Sequence, residues 1–226
     1  MVSHNDDDET TSLEDLQLVV VFGRPGAGKT TIADAAIEKL GGSSALGLDL
    51  DVCIPQWMKD NFSNGIYPTL EQRQEFMKDS CRYVQDQINQ TTCTIILVSF
   101  SFVNVDLRQG FRKAFPNSKW ALVDTTEEEA ELRIQQRKGH FYTGAPKSEE
   151  EEEEEEEDKQ QKQQAEEDPQ QDSTSSKADK AEDKDDDGDD NDNSEWLFAP
   201  VTFEHTILPG TASIEENAQR VVDILV

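Results

Sequence analysis

Gly23-Arg24-Pro25-Gly26-Ala27-Gly28-Lys29-Thr30 decides the reading of this chain. The stretch fits G-x-x-x-x-G-K-[ST], a loop that cradles phosphate groups. Its setting is the one the mechanism needs. Gln17–Phe22 (QLVVVF) is a β-branched run that predicts a buried strand running into the loop. Lys29 to Leu40 then shows helical spacing, with Ile32, Ala36 and Leu40 on one face, and stops at Gly41-Gly42. Gly23, Gly26 and Gly28 let successive backbone N–H groups turn inward around phosphate oxygens, and the helix N-terminus adds its positive end. Lys29 is placed to reach the outer phosphates, and the Thr30 hydroxyl is a ligand for Mg²⁺. With Pro25, Ala27 and Thr31, these residues form the expected nucleotide-binding set, and the expected ligands are ATP and Mg²⁺.

Outward from the loop, strand and helix signals alternate. Ala45–Leu50 is a second apolar run ending in Asp49-Leu50-Asp51. Leu70, Met77, Cys81, Val84 and Ile88 fall on a helical stripe, and Thr94–Phe100 (TIILVSF) reads as a strand buried on both faces. A helix from about Val105 to Phe115, a strand from Lys119 to Asp124 and a charged helix from Thr126 to Lys138 follow. A short strand around Thr206–Leu208 leads through Pro209-Gly210 to a last helix carrying Ile214, Ala218, Val221, Val222 and Leu225. This order predicts a three-layer α/β/α domain with a mostly parallel five-stranded sheet. Asp49 and Asp51 lie at the carboxyl end of the second strand, where ligands of open α/β sheets bind. Strand alternation would point both into the site, one toward Mg²⁺ and one toward a substrate hydroxyl. A strand-end pair that merely caps the following helix is the other reading of the same residues.

Charge divides the chain. Of 226 residues, 49 are acidic and 21 are Lys or Arg, a formal net charge of −28. Residues 148–195 carry 24 acids and 5 lysines, and the first 16 residues carry six acids and no base. The remainder has a net charge of only −3. Nine consecutive glutamates, Glu149–Glu157, repel one another and bury nothing, so residues 144–194 are expected to be a disordered acidic insert and residues 1–15 a disordered acidic arm. The kinase-type domain then spans 16–226 around that insert. An acidic surface disfavours nucleic acid and anionic membrane as partners, leaving a small-molecule substrate and, for the insert, a basic protein. Three cysteines (Cys53, Cys81, Cys93) form no CxxC pair, and Met1–Gln17 has neither the basic flank nor the apolar core of a signal peptide. A cytoplasmic location is expected.

Several segments taken in order resemble the gluconokinase family of small P-loop kinases, relatives of shikimate and adenylate kinases. After the loop comes Leu48-Asp49-Leu50-Asp51 with Pro55, similar to L-D-G-D-x-x-H-P. Gly65 precedes Arg73 by the spacing of G-x-P-L-x-D-x-D-R, and Ser101 leads to Arg108 and Arg112. Arg133-Ile-Gln-Gln-Arg137-Lys138-Gly139-His140-Phe141-Tyr142 is similar to R-L-x-x-R-x-G-H-F-F. The chain departs from the pattern at Ile54, where the family has histidine, and at Phe102–Val105, where it has a basic pair. The resemblance implies a lid and ATP-dependent phosphoryl transfer to a hydroxyl of a sugar acid, gluconate giving 6-phosphogluconate. It implies Lys29, Asp51 and Arg137 as catalytic residues, with Asp51 as the base and Arg137 closing over the phosphates. Thr30 and Asp49 would hold Mg²⁺. Arg73, Arg108 and His140 would join Asp51 in holding the acceptor, and Pro209-Gly210 would border the adenine. A nucleoside monophosphate or other metabolite kinase, or a nucleotide-dependent scaffold using the acidic insert, are the alternative readings.

Overall fold

A computed structural model describes residues 16–137, 142 and 197–225. The acidic arm, the acidic insert, His140 and the lid apart from Arg137 and Tyr142 lie outside the described residues.

The central strand, β1 (Gln17–Gly23), is the run that precedes the loop, and Val19 to Phe22 are wholly buried. It pairs in parallel with β3 (Ile95–Phe100) on one side and β4 (Lys119–Asp124) on the other. Beyond them lie β2 (Ala45–Asp49) and β5 (Thr206–Pro209), also parallel, giving the order β2-β3-β1-β4-β5. The sheet is therefore parallel throughout, as expected where every crossover carries helical or irregular chain over a face.

Alternation along β1 builds two cores. Val19 and Val21 face a cluster with Ile32, Ala33 and Ala36 of α1 (Lys29–Lys39) and Ala218 and Val221 of α6 (Ile214–Asp223). Leu18, Val20 and Phe22 face the second cluster, made largely by α3 (Leu70–Gln90) and α4 (Val105–Ala114). That side is rich in aromatics: Trp120 packs edge-on against Phe22 and Phe102 with ring centroids 5.1 Å apart in each case. Two helices begin with reciprocal capping boxes, Thr69 with Gln72 and Ser213 with Glu216. Thr126 caps α5 (Glu127–Gln136), whose first turn is acidic as its dipole favours.

The structure departs from the sequence expectations in places. A helix, α2 (Gln56–Ser63), occupies a stretch where none is expected. β2 stops at Asp49, and Leu50–Cys53 forms a 3-10 turn. Leu70 and Ile214, the first members of their helical stripes, are exposed, because each sits in the first turn of its helix, beyond the packed stretch.

Candidate active site

The phosphate loop leaves β1 and enters α1 through Gly28, whose φ of 91° suits a residue without a side chain. Gly26 has a stronger reason to be glycine. Its φ is 84°, and a Cβ there would lie 2.4 Å from the carbonyl oxygen of Ala130 in α5. The loop thus rests directly on the helix that leads to Arg137. Arg133, which reads in the sequence as a surface residue, adds a second tie by donating to the Ala27 carbonyl at 3.3 Å. Arg24 adds a third, its guanidinium 3.3 Å from Glu127 in the first turn of α5.

Lys29 turns back into the loop and donates to the Arg24 carbonyl at 2.8 Å. Burial pushes its ammonium down to about 8; Asp51 and Asp49 pull it upward and Arg137 pushes it further down. Asp49, Asp51 and Arg137 line the same cleft as Lys29.

Thr30 Oγ1 donates to Asp49 Oδ2 at 2.8 Å and lies 3.4 Å from the hydroxyl of Ser99, a buried residue of β3 opposite Asp49 in the sheet. The other Asp49 oxygen accepts the Asp51 backbone N–H at 3.0 Å and caps the 3-10 turn. Asp49 caps the turn, and Asp49 and Asp51 both line the cleft. The expected reason was incomplete. Asp51 reaches the cleft from the 3-10 turn rather than by strand alternation. Ser99 carries no sequence signal beyond its place in an apolar run.

Thr30, Asp49 and Ser99 form an all-oxygen group. Among the described residues there is no cluster of three His, Cys, Asp or Glu side chains suited to a metal ion. The donor set suits Mg²⁺, a hard cation commonly held by one or two protein oxygens, water and substrate phosphates.

One cleft brings together Pro25, Gly26, Gly28, Lys29, Thr30, Thr31, Asp49, Asp51, Arg73 and Arg137. Gly23 and Ala27 are not in its lining; Ala27 is buried, and a Cβ on Gly23 would lie 2.6 Å from the Val123 carbonyl oxygen. Arg137 closes α5 at the cleft edge. Pro209-Gly210 is not on the cleft wall: the Gly210 N–H donates to the Asp124 carbonyl at 2.7 Å and seals the β4–β5 edge.

One arginine requires correction. Arg108 is 2% exposed and does not line the cleft. Its Nε donates to Phe102 O at 2.7 Å, Nη2 to Val103 O at 3.0 Å, and Nη1 to Ala199 O and Pro200 O at 2.8 and 2.9 Å. The guanidinium also lies 4.4 Å from the centre of the Phe198 ring. It fastens the 199–200 segment to the end of β3 and has no reach to an acceptor. Arg73 does line the cleft, but its Nε is 3.1 Å from Asp106 and its Nη1 donates to Pro68 O at 2.8 Å.

The fold and site define a nucleotide-binding protein with the three-layer architecture of P-loop small-molecule kinases. The chain belongs to the AAA domain family, whose model matches residues 18–169. No curated protein matches the sequence. Among solved structures, a sugar kinase from Janibacter sp. HTCC2649 is 18% identical, with a TM-score of 0.57 over 92% of this chain and 93% of that one. A gluconokinase from Sinorhizobium meliloti 1021 is 16% identical, with a TM-score of 0.55 over 92% and 91%. The Mycobacterium tuberculosis APS kinase in complex with AMPPNP and APS is 18% identical, with a TM-score of 0.53 over 93% and 98%. At these identities the likeness is one of fold. No helix among the described residues is long and apolar enough to cross a membrane.

Proposed function

We propose that this protein is an ATP-dependent kinase that transfers the γ-phosphoryl group to a hydroxyl of a small molecule. The observation that carries the reading is the convergence on one cleft of Lys29, the Thr30–Asp49 pair and Asp51, with Arg137 at its edge. A loop that only bound nucleotide would need the first two; a carboxylate beside them supplies a base for an incoming hydroxyl.

Each residue has a distinct task. Backbone N–H groups of the loop and the N-terminus of α1 hold the phosphate chain. Lys29 leaves the Arg24 carbonyl to meet the outer phosphates. Thr30 and Asp49 would hold Mg²⁺, which when bound draws negative charge from the phosphate oxygens. Asp51 orients the acceptor hydroxyl and takes its proton. Arg137 offsets charge on the transferring group, a role worth about 10³–10⁵ in rate for arginines placed this way.

The acceptor implied by the resemblance is gluconate, phosphorylated to 6-phosphogluconate. Arg73 would be the cation for its carboxylate, and Asp106 already neutralises it.

The test is ADP release from Mg-ATP across gluconate, other sugar acids, shikimate, AMP, CMP and ring-bearing alcohols, with Asp51→Asn in parallel. Acceptor-stimulated release that disappears in Asp51→Asn supports the reading. ATP binding without acceptor-dependent turnover anywhere would overturn it in favour of a nucleotide-dependent switch or scaffold.

A further inference from the structure

The half of the cleft beyond Asp51 has a wall that the phosphate chemistry does not use. Ile54, Met58 and Phe76 lie along it at 7%, 3% and 6% exposure. Phe62, Tyr67 and Val103 complete it, with the Phe62 and Tyr67 rings 6.1 Å apart. Tyr67 is fixed in place, its hydroxyl donating to Asn104 Oδ1 at the start of α4. The two departures from the kinase pattern noted in the sequence reach this wall as Ile54 and Val103, both apolar.

Polar side chains are sparse here. Among the described residues of the cleft, apart from the phosphate loop and the Thr30–Asp49–Ser99 group, they are Asp51, Arg73, Ser101, Arg137 and the hydroxyls of Tyr67 and Tyr142. The Arg73 guanidinium pairs with Asp106 at 3.1 Å and lies 5.5 Å from the centre of the Tyr67 ring. An acceptor carboxylate would meet a neutral pair and compete with Asp106 for the same fork. A polyol carrying a hydroxyl on every carbon would turn several of them against Ile54, Met58 and Phe76, where a buried hydroxyl without a partner lowers affinity. An apolar body gains from the same surface.

We propose that the acceptor is an alcohol with one reactive hydroxyl on an apolar, ring-bearing body, and not a sugar acid. The inference rests on the kinase reading and names the substrate class of that same cleft. In the transfer, the acceptor oxygen forms a bond to the γ-phosphorus as the bond to the bridging oxygen of ATP breaks. The hydroxyl proton goes to Asp51, and ADP carries away the electron pair of the broken bond.

The test is direct binding, so it does not depend on turnover. The chain has three methionines, of which Met58 faces this wall and Met77 packs against Gly110. Full-length protein labelled with ¹³C at the methionine methyl groups, and loaded with Mg-AMPPNP, is titrated with benzyl alcohol and with gluconate at equal concentrations. Met58→Leu assigns the signal. Benzyl alcohol is expected to shift the Met58 methyl saturably and leave Met77 in place, and gluconate is expected to leave both in place. Phe62→Ser should weaken the benzyl alcohol response at least fivefold; the wild-type titration stands without it. The proposal is overturned if gluconate saturates the Met58 shift as tightly as benzyl alcohol, or if benzyl alcohol does not move Met58. Loss of the kinase reading would show separately, as ADP release indifferent to Asp51→Asn.

Discussion

The Lys29 ammonium donates to the carbonyl oxygen of Arg24 at 2.8 Å, so the loop's own cation lies across the space its glycines enclose. A phosphate entering the loop must compete with that carbonyl, and it meets an ammonium whose buried position has already weakened its hold on its proton.

This relationship makes nucleotide binding depend on pH. Lys29 is lowered from 10.5 to about 8. Between those values the unfolded chain holds a proton that the folded chain has lost, so stability of the nucleotide-free protein rises with pH through this window. Below pH 8 both states are protonated and the burial penalty is fully present. Nucleotide phosphates favour the charged form, so above pH 8 binding takes up a proton and affinity falls, by at most about tenfold per pH unit. Titration calorimetry in two buffers of different ionisation enthalpy measures the uptake. Lys29→Met is expected to abolish both trends.

Asp49 does two jobs that substitutions can separate. Asn at this position keeps an oxygen for the Asp51 N–H and turns an amide N–H donor toward the Thr30 hydroxyl oxygen, but loses the charge. Asp49→Asn is therefore expected to fold with near-normal stability and to need far more Mg²⁺ for half-maximal activity. Asp49→Ala should in addition lose about 1–2 kcal/mol of stability, because the turn loses its cap and the Thr30 hydroxyl its acceptor. Urea unfolding alongside a Mg²⁺ titration of activity distinguishes the two.

Asp51 and Arg137 should affect the rate in different ways. Asp51→Asn removes the base and is expected to lower kcat by about 10²–10⁴ with nucleotide affinity unchanged. Arg137→Ala should lower kcat by roughly 10³ or more while weakening nucleotide binding far less. An equal loss in KM and kcat for Arg137→Ala would remove its transition-state role.

Arg108 is expected to behave as a structural residue. Arg108→Leu deprives the carbonyls of Phe102, Val103, Ala199 and Pro200 of a shared donor. A loss of roughly 2–4 kcal/mol is expected for buried charge-assisted bonds of this kind, or a fall of roughly 5–15 °C in Tm at this chain length. The KM for the acceptor should not change. A raised KM at unchanged Tm would return Arg108 to the substrate.

These outcomes also show which parts of the molecule the sequence made legible. The β-branched runs and Gly23–Thr30 specify the sheet and the phosphate loop because their signals are local: a strand is a run, and a loop is a spacing. α2 was hidden because it buries only Met58 and so shows no stripe. Arg108 was misread because two of its acceptors lie 91 and 92 residues away, and no spacing on α4 reveals them. Arg73 lines the cleft, and no spacing on its own helix reveals its partner Asp106, which belongs to another. Phe62, near the end of α2, and Tyr67, in the connection that follows it, carry no sequence signal because neither belongs to a periodic stripe.

The Arg108 fastening has a consequence for how such a chain changes over generations. The polypeptide returns to the sheet at a point set by Ala199 and Pro200, held by a side chain from α4. The attachment of that segment ahead of β5 therefore rests on Arg108 and does not call on the residues between Tyr142 and Leu197. The acidic runs in that stretch can lengthen or shorten while Arg108 keeps its hold on the 199–200 segment.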